Sequence, residues 1–170
     1  HPLSVLELLK LMVCISDNTA TNALIERFGI DGVNLTLEKI GATKTKLARK
    51  LMKIGTGTYS TACAKDMAKV MLALTEPGLL NAETVQWGKA ILLEQQYNDR
   101  LSAYWVDCGS CGKRIGTLNR CPQCGTDAGD VDPLVIPFAH KTGEITGVVH
   151  DAGVLWVNEK AYALVGMSSS

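Results

Sequence analysis

The apolar pattern of this chain changes once, and that single change sets the fold class. From Ser4 to about Gln96 apolar residues recur at helical spacing, whereas from Phe138 to Met167 they fall in short runs rich in β-branched and aromatic residues. Ser4 to Glu7 spells a capping box and is followed by Leu6, Leu9, Met12 and Val13, a first helix. Thr19 to Phe28 carries Ala20, Ala23, Leu24 and Phe28 on one face and stops at Gly29. Asp31 to Ile40 repeats the scheme with Val33, Leu37 and Ile40, ending at Gly41. Ser60 or Thr61 is placed to cap a fourth helix with Met67, Val70, Met71 and Leu74 inside, which Pro77-Gly78 ends; a fifth is expected from Asn81 to Gln96. Strands are expected at Phe138 to Thr142, Val149 to Val157 and Ala161 to Met167, the last two joined by a turn at Asn158-Glu159-Lys160. Helices first and strands last predict an α+β architecture, a helical layer on an antiparallel sheet.

The break between the two patterns holds four of the six cysteines. Cys108-Gly-Ser-Cys111 and Cys121-Pro-Gln-Cys124-Gly are separated by nine residues. Two thiolates three positions apart across a tight turn reach one tetrahedral ion, and Gly109, Gly112 and Gly125 permit such turns. The gap leaves room for a hairpin from Gly112 to Arg120. The arrangement resembles a zinc ribbon, so a structural zinc on Cys108, Cys111, Cys121 and Cys124 is expected, with two disulfides as the alternative. Four thiolates leave no open position for catalysis. Cys14 and Cys63 lie in apolar helical patterns and read as buried small hydrophobes. The predicted organisation is a helical part at 1–103, a zinc-ribbon insertion at 104–134 and a sheet part at 135–170.

Seventeen basic and seventeen acidic side chains in 170 residues disfavour a nucleic-acid-coating protein, which needs a basic excess. Lys113, Arg114 and Arg120 in the cysteine module are few, and Asp107, Asp127, Asp130 and Asp132 accompany them, so no nucleic acid is expected as partner. No apolar run approaches the roughly 20 residues of a membrane helix.

Two tripeptides carry chemistry. Ser16-Asp17-Asn18 falls at the junction of the first two helices, and Lys141-Thr142-Gly143 on the first strand of the sheet. Singly each is an ordinary loop, cap or edge-strand sequence. Together, in this order, and with the flanks Ser16 to Leu24 and His140 to Gly153, they resemble the serine β-lactamase and penicillin-binding hydrolases, class A β-lactamases included. The resemblance covers nearly everything outside the cysteine module, and that module accounts for the tripeptides lying farther apart, at 125 positions, than the family usually shows. It implies acyl transfer on a β-lactam or related amide or ester. Ser16 would relay a proton to the leaving nitrogen, and Lys141 would place positive charge near Ser16 and the substrate carboxylate. Asn18 would bond the substrate's side-chain amide, Thr142 its carboxylate, and Gly143 would let it lie close to the strand edge. Asp17 is expected to hold the loop. His140 and His150 are expected to be surface or sheet residues.

Two departures from the family accompany these matches. The family's nucleophile is the Ser of a Ser-x-x-Lys helix several dozen residues before Ser-Asp-Asn, and fifteen residues precede Ser16. Ser110 to Lys113 matches that pattern by chance, between knuckle cysteines. The expectation is therefore a fragment completed by a chain or segment carrying Ser-x-x-Lys, or a degenerate relative; these residues alone are not expected to acylate. Second, Leu47 to Thr58 contains no acid where class A enzymes carry the Glu that activates the deacylating water. Glu38 and Glu144 are poor substitutes, the first on a helix face and the second a solvated charge. A different reading is a non-catalytic, partner-binding protein on the same fold with the ribbon as interface. Four thiolates are most easily kept reduced in the cytoplasm, against the family's tendency to be periplasmic or secreted.

Overall fold

The computed structural model describes residues 2–52, 57–104, 106–113, 120–127, 134–135 and 137–169. Five helices, α1 (Val5–Cys14), α2 (Asn18–Phe28), α3 (Ile30–Ile40), α4 (Ala64–Thr75) and α5 (Ala82–Leu93), precede an antiparallel sheet of β3 (Phe138–Ile145), β4 (Val148–Val157) and β5 (Lys160–Ser169), with β4 central. The α+β prediction holds. The capping box of α1 forms in full: the Ser4 hydroxyl accepts the Glu7 N–H at 3.2 Å, and Glu7 accepts the Ser4 N–H at 2.7 Å.

α4 lies on β4 and β5 and α5 on β3. Their inner residues Met71 and Leu92 meet Ala139, Ala152 and Val154 of the sheet in one buried cluster. Small Ala139 and Ala152 in the strands leave room for the larger Met71 and Leu92 of the helices to pack against the sheet. Trp156 closes the cluster's rim, donating its indole N–H to Glu76 at 2.7 Å while the Lys89 ammonium lies 3.8 Å over its ring. Among the described residues no helix is long and apolar enough to cross a membrane.

Several boundaries differ from expectation: β3 runs on to Ile145 and β5 to Ser169, and at the two helix ends a tertiary partner outbids the local pattern. Neither Ser60 nor Thr61 caps α4. Thr61 forms a two-way bridge with Lys46, at 2.8 and 2.9 Å, and the Ser60 hydroxyl accepts the Ala48 N–H. The N-cap is instead Cys63, half-buried and not in the helical stripe. α5 stops at Leu93, short of Gln96, because Gln95, Gln96 and Tyr97 turn away to serve α1. The β4–β5 turn is Asn158-Glu159, both at positive φ (48° and 63°), and Lys160 already belongs to β5.

Between α5 and β3 the chain makes a single 3-10 turn at Leu101–Tyr104 and then pairs β1 (Val106–Asp107) with β2 (Leu134–Val135). This two-residue ladder closes the entry and exit of the cysteine module into a neck. The hairpin expected between the knuckles falls largely on 114–119, outside the described residues.

Candidate functional site

Ser16 stands between two caps. Ile15 is the C-cap of α1 and Asp17 the N-cap of α2, and Ser16 holds a φ of 55°, a left-handed conformation that a non-glycine residue keeps only when its surroundings over-determine it. Asp17 supplies much of that constraint. Its N–H donates to the Leu11 carbonyl at 3.0 Å, its carboxylate accepts the Ala20 N–H at 2.6 Å, and its carbonyl accepts the Thr21 hydroxyl. The other constraint comes from beyond α5: the Gln95 amide donates to the Val13 carbonyl at 2.8 Å, the Gln96 N–H to Cys14 and the Tyr97 hydroxyl to Ile15. Three carbonyls at the end of α1 are thus satisfied by one turn of chain. Cys14 is buried there, its thiol donating to the Ile91 carbonyl.

Lys141 reaches this junction from the sheet. It sits opposite Ala152 on the face that packs against the helices, and its Nζ donates to the Ser16 hydroxyl and to the Thr142 carbonyl. Burial holds the lysine below its usual pKa, against the pull of the Asp151 carboxylate. The two tripeptides, 125 positions apart, therefore meet through a lysine that is easier to deprotonate than an exposed one.

The junction and the edge of β3 border a groove of about 1050 Å³. Ser16 and Asn18 lie on one wall, Lys141, Thr142 and Gly143 on another, and the 49–52 and 59–62 stretches on a third. Asn18 is exposed at the lip, whereas Ser16, Lys141, Thr142 and Gly143 are half-buried. Among the described lining residues Arg49, Lys50, Arg100 and Lys141 are basic and Glu144 is acidic; Lys50 is paired with Glu26 at 3.1 Å and Arg100 with Asp99 and Glu144, so the lining carries a small basic excess. A Cβ at Gly143 would come no nearer than 3.8 Å to His150. Packing inside the protein thus does not demand glycine there.

The back of β3 carries residues whose burial or partners the sequence pattern does not reveal; His140 and His150 both lie in the sheet, as expected. His140, expected as a surface or sheet histidine, is 1% exposed; its Nδ1 lies 2.8 Å from the Asp151 carboxylate and its Nε2 3.0 Å from the Asn98 side-chain oxygen. His150 is a half-buried sheet residue. Asp151 also accepts the Leu101 N–H at 3.1 Å, so the 98–104 segment is pinned across the strand that bears Lys141. Glu144 is exposed, as expected, but pairs with Arg100 and is not a free solvated charge. Asn98, Arg100 and Gln95 lie in no motif, and Asp151, within the His140 to Gly153 flank, has no role assigned by it; the polar His150-Asp151 step inside a β run is the available signal.

A family model described as "Beta-lactamase enzyme family" matches residues 1–170. The chain belongs to that family. Among solved structures it is similar to the β-lactamase of Sphaerobacter thermophilus, at 27% identity and a TM-score of 0.72, with 98% of this chain and 54% of that one covered. It is likewise similar to PBP-A, at 26% identity and a TM-score of 0.68, covering 97% of this chain and 52% of that one. The class A β-lactamase of Mycobacterium abscessus shares the fold at 19% identity and a TM-score of 0.72, over 99% of this chain and 56% of that one. The chain thus spans about half the length of these β-lactamase-family structures. No curated protein matches it.

The four cysteines of the module also converge. The sulfurs of Cys108, Cys111, Cys121 and Cys124 all lie within 4.8 Å of one another.

Proposed function

We propose that the groove binds a β-lactam or a related anionic amide or ester and serves acyl-enzyme chemistry, with the nucleophile supplied by a Ser-x-x-Lys segment outside these 170 residues. The observation that carries this reading is the hydrogen bond from Lys141 to Ser16 across the groove. In the acyl-transfer step the incoming serine oxygen bonds to the carbonyl carbon, and the carbon–nitrogen bond then breaks. The departing nitrogen takes the proton of the Ser16 hydroxyl, Lys141 replaces it, and the proton released by the attacking hydroxyl restores the lysine. A lysine whose charge is disfavoured by burial suits that relay. The small basic excess of the lining suits a substrate carboxylate, which Thr142 and Lys141 would hold, while Asn18 at the lip would bond a substrate amide and Gly143 would admit the substrate to the β3 edge.

Deacylation has less support. Among the described residues lining the groove the one carboxylate, Glu144, is held by Arg100, and the stretch from Leu47 to Thr58 supplies no acid. Slow release of the acyl group follows, as in a penicillin-binding protein; a variant of PBP-A is recorded as an acyl-enzyme with penicillin G.

Fluorescent penicillin tests the reading on a protein that joins this chain to a Ser-x-x-Lys segment. Covalent labelling is expected, slowed roughly 10²–10⁴-fold by Ser16→Ala. Absence of labelling in the joined protein, or unchanged labelling in Ser16→Ala, overturns it and favours a partner-binding role for the fold.

A further inference from the structure

We propose that Cys108, Cys111, Cys121 and Cys124 bind one zinc ion as a closed, four-thiolate structural site, independent of the chemistry in the groove. The two cysteine pairs are built alike. In the first, the Gly112 N–H donates to the Cys108 carbonyl at 2.7 Å and the Cys108 N–H to the Lys113 carbonyl at 2.8 Å. In the second, the Gly125 N–H donates to the Cys121 carbonyl at 2.9 Å and the Cys121 N–H to the Thr126 carbonyl at 2.8 Å. Each turn is closed by a glycine at positive φ, 71° and 73°, where a side chain is strained. Two copies of one knuckle thus face each other, each presenting two sulfurs.

The spacing of those sulfurs fits an ion. A tetrahedral zinc with Zn–S bonds of about 2.3 Å sets its sulfurs about 3.8 Å apart. Here Cys108 and Cys124 are 3.6 Å apart, Cys111 and Cys121 also 3.6 Å, and no pair exceeds 4.8 Å. All four cysteines are free thiols.

Burial points the same way. Among the described side chains of 108–113 and 120–127, only Cys108 and Cys121 are buried, at 2% and 1% exposure. The described part of the module therefore buries thiols where a domain would bury hydrocarbon. Four crowded S–H groups attract one another weakly, and a segment of this size gains little from apolar burial. An ion that takes four thiolates and releases their protons supplies the missing cohesion. Zinc suits the donor set because it is tetrahedral and accepts four sulfurs; four sulfurs complete its shell, so the site holds structure and leaves no position for substrate.

The neck formed by β1 and β2 carries this cohesion back to the fold, since the chain before it runs through Leu101, whose N–H is bound by Asp151 behind Lys141.

The test uses the full chain purified under reducing conditions. Elemental analysis should find one zinc per chain, and cobalt exchanged into it should give the intense sulfur-to-metal charge-transfer and tetrahedral d–d bands of four-thiolate coordination. Cys111→Ser and Cys124→Ser, at exposed ligands that are not needed for packing, should each lose most of the bound zinc and weaken the charge-transfer band. Cys14→Ser and Cys63→Ser should leave both unchanged. Reduced protein free of metal that gives no cobalt spectrum overturns the proposal. So does a ferric chromophore in place of zinc, or disulfides between these cysteines that persist in reductant.

Discussion

Gly153 is the position at which one added methyl should do most damage to β3, the strand that carries Lys141. It lies in the central strand β4, opposite His140 of β3 and Leu164 of β5. The Phe138 and His140 rings stack at 4.6 Å on its side of the sheet. A Cβ built there would meet the Ala139 carbonyl oxygen at 2.5 Å, the His140 Cβ at 2.5 Å and the Phe138 ring at 2.6 Å. The first two cannot swing away as a long side chain does, because one is backbone and the other is attached to it. Relief requires β3 to move, and with it Lys141. Overpacking of this kind costs typically ~1–3 kcal/mol, and the rigidity of the contacts puts Gly153→Ala at the upper end. Lower entropy of the unfolded chain returns about 0.4–1 kcal/mol. A net loss of about 2 kcal/mol remains, which for a protein of this size lowers Tm by roughly 4–8 °C.

Gly166 provides the control. It sits in β5, where the nearest contact of an added Cβ is a Leu101 methyl at 3.5 Å, ordinary van der Waals distance. Gly166→Ala should be neutral or slightly stabilising, by about 0.5 kcal/mol. Urea unfolding of both variants beside the parent protein, followed by circular dichroism, reads the difference as a change in midpoint at constant slope. A Gly153→Ala protein within about 0.5 kcal/mol of the parent would refute the steric reasoning. Equal losses in the two variants would refute it too, since they would trace the cost to glycine in a strand and not to these contacts.

Three further outcomes are expected. Gly88→Ala gains about 1 kcal/mol of helix propensity in α5 but places a Cβ 2.5 Å from the Leu74 carbonyl oxygen of α4, so calorimetry should show a lower Tm despite the better helix former. Asp17→Ala removes the N-cap of α2 and should cost about 1 kcal/mol in denaturant unfolding, with the Lys141 side chain losing its fixed Ser16 partner as judged by NMR. Burial lowers the Lys141 pKa, so between that lowered value and the ordinary lysine value the unfolded chain binds the extra proton; this group makes stability rise with pH across that alkaline window and adds no slope below it. Lys141→Met should flatten that rise in unfolding free energy measured from pH 7 to about 10, and an unchanged slope would contradict the assigned burial.

How much of this was legible beforehand follows from the range of the forces involved. The Ser4 capping box, the stop at Gly41 and the two knuckles depend on residues within five positions of one another, and the sequence showed each of them. The start of α4 and the end of α5 were misread because Thr61 answers to Lys46 and Gln95 to Val13, partners that no local period reveals. The site divides in the same way. Ser-Asp-Asn and Lys-Thr-Gly were visible as text, but their meeting depends on a strained Ser16 and on a lysine lying on the helix-facing side of the sheet. His140 is a sheet residue, as expected, but its burial could not be read for a related reason. A strand with one solvated face exposes every second residue, yet the segment from Asn98 to Tyr104 covers the back of β3 and buries both faces at that end. The same covering segment leads directly into the neck of the cysteine module. Loosening the module should therefore be felt first at Leu101 and Asp151, behind the strand and before the groove. Hydrogen exchange at the Leu101 amide, compared between zinc-loaded protein and Cys111→Ser, measures that coupling; faster exchange in the variant with unchanged protection at Val154 is the expected pattern.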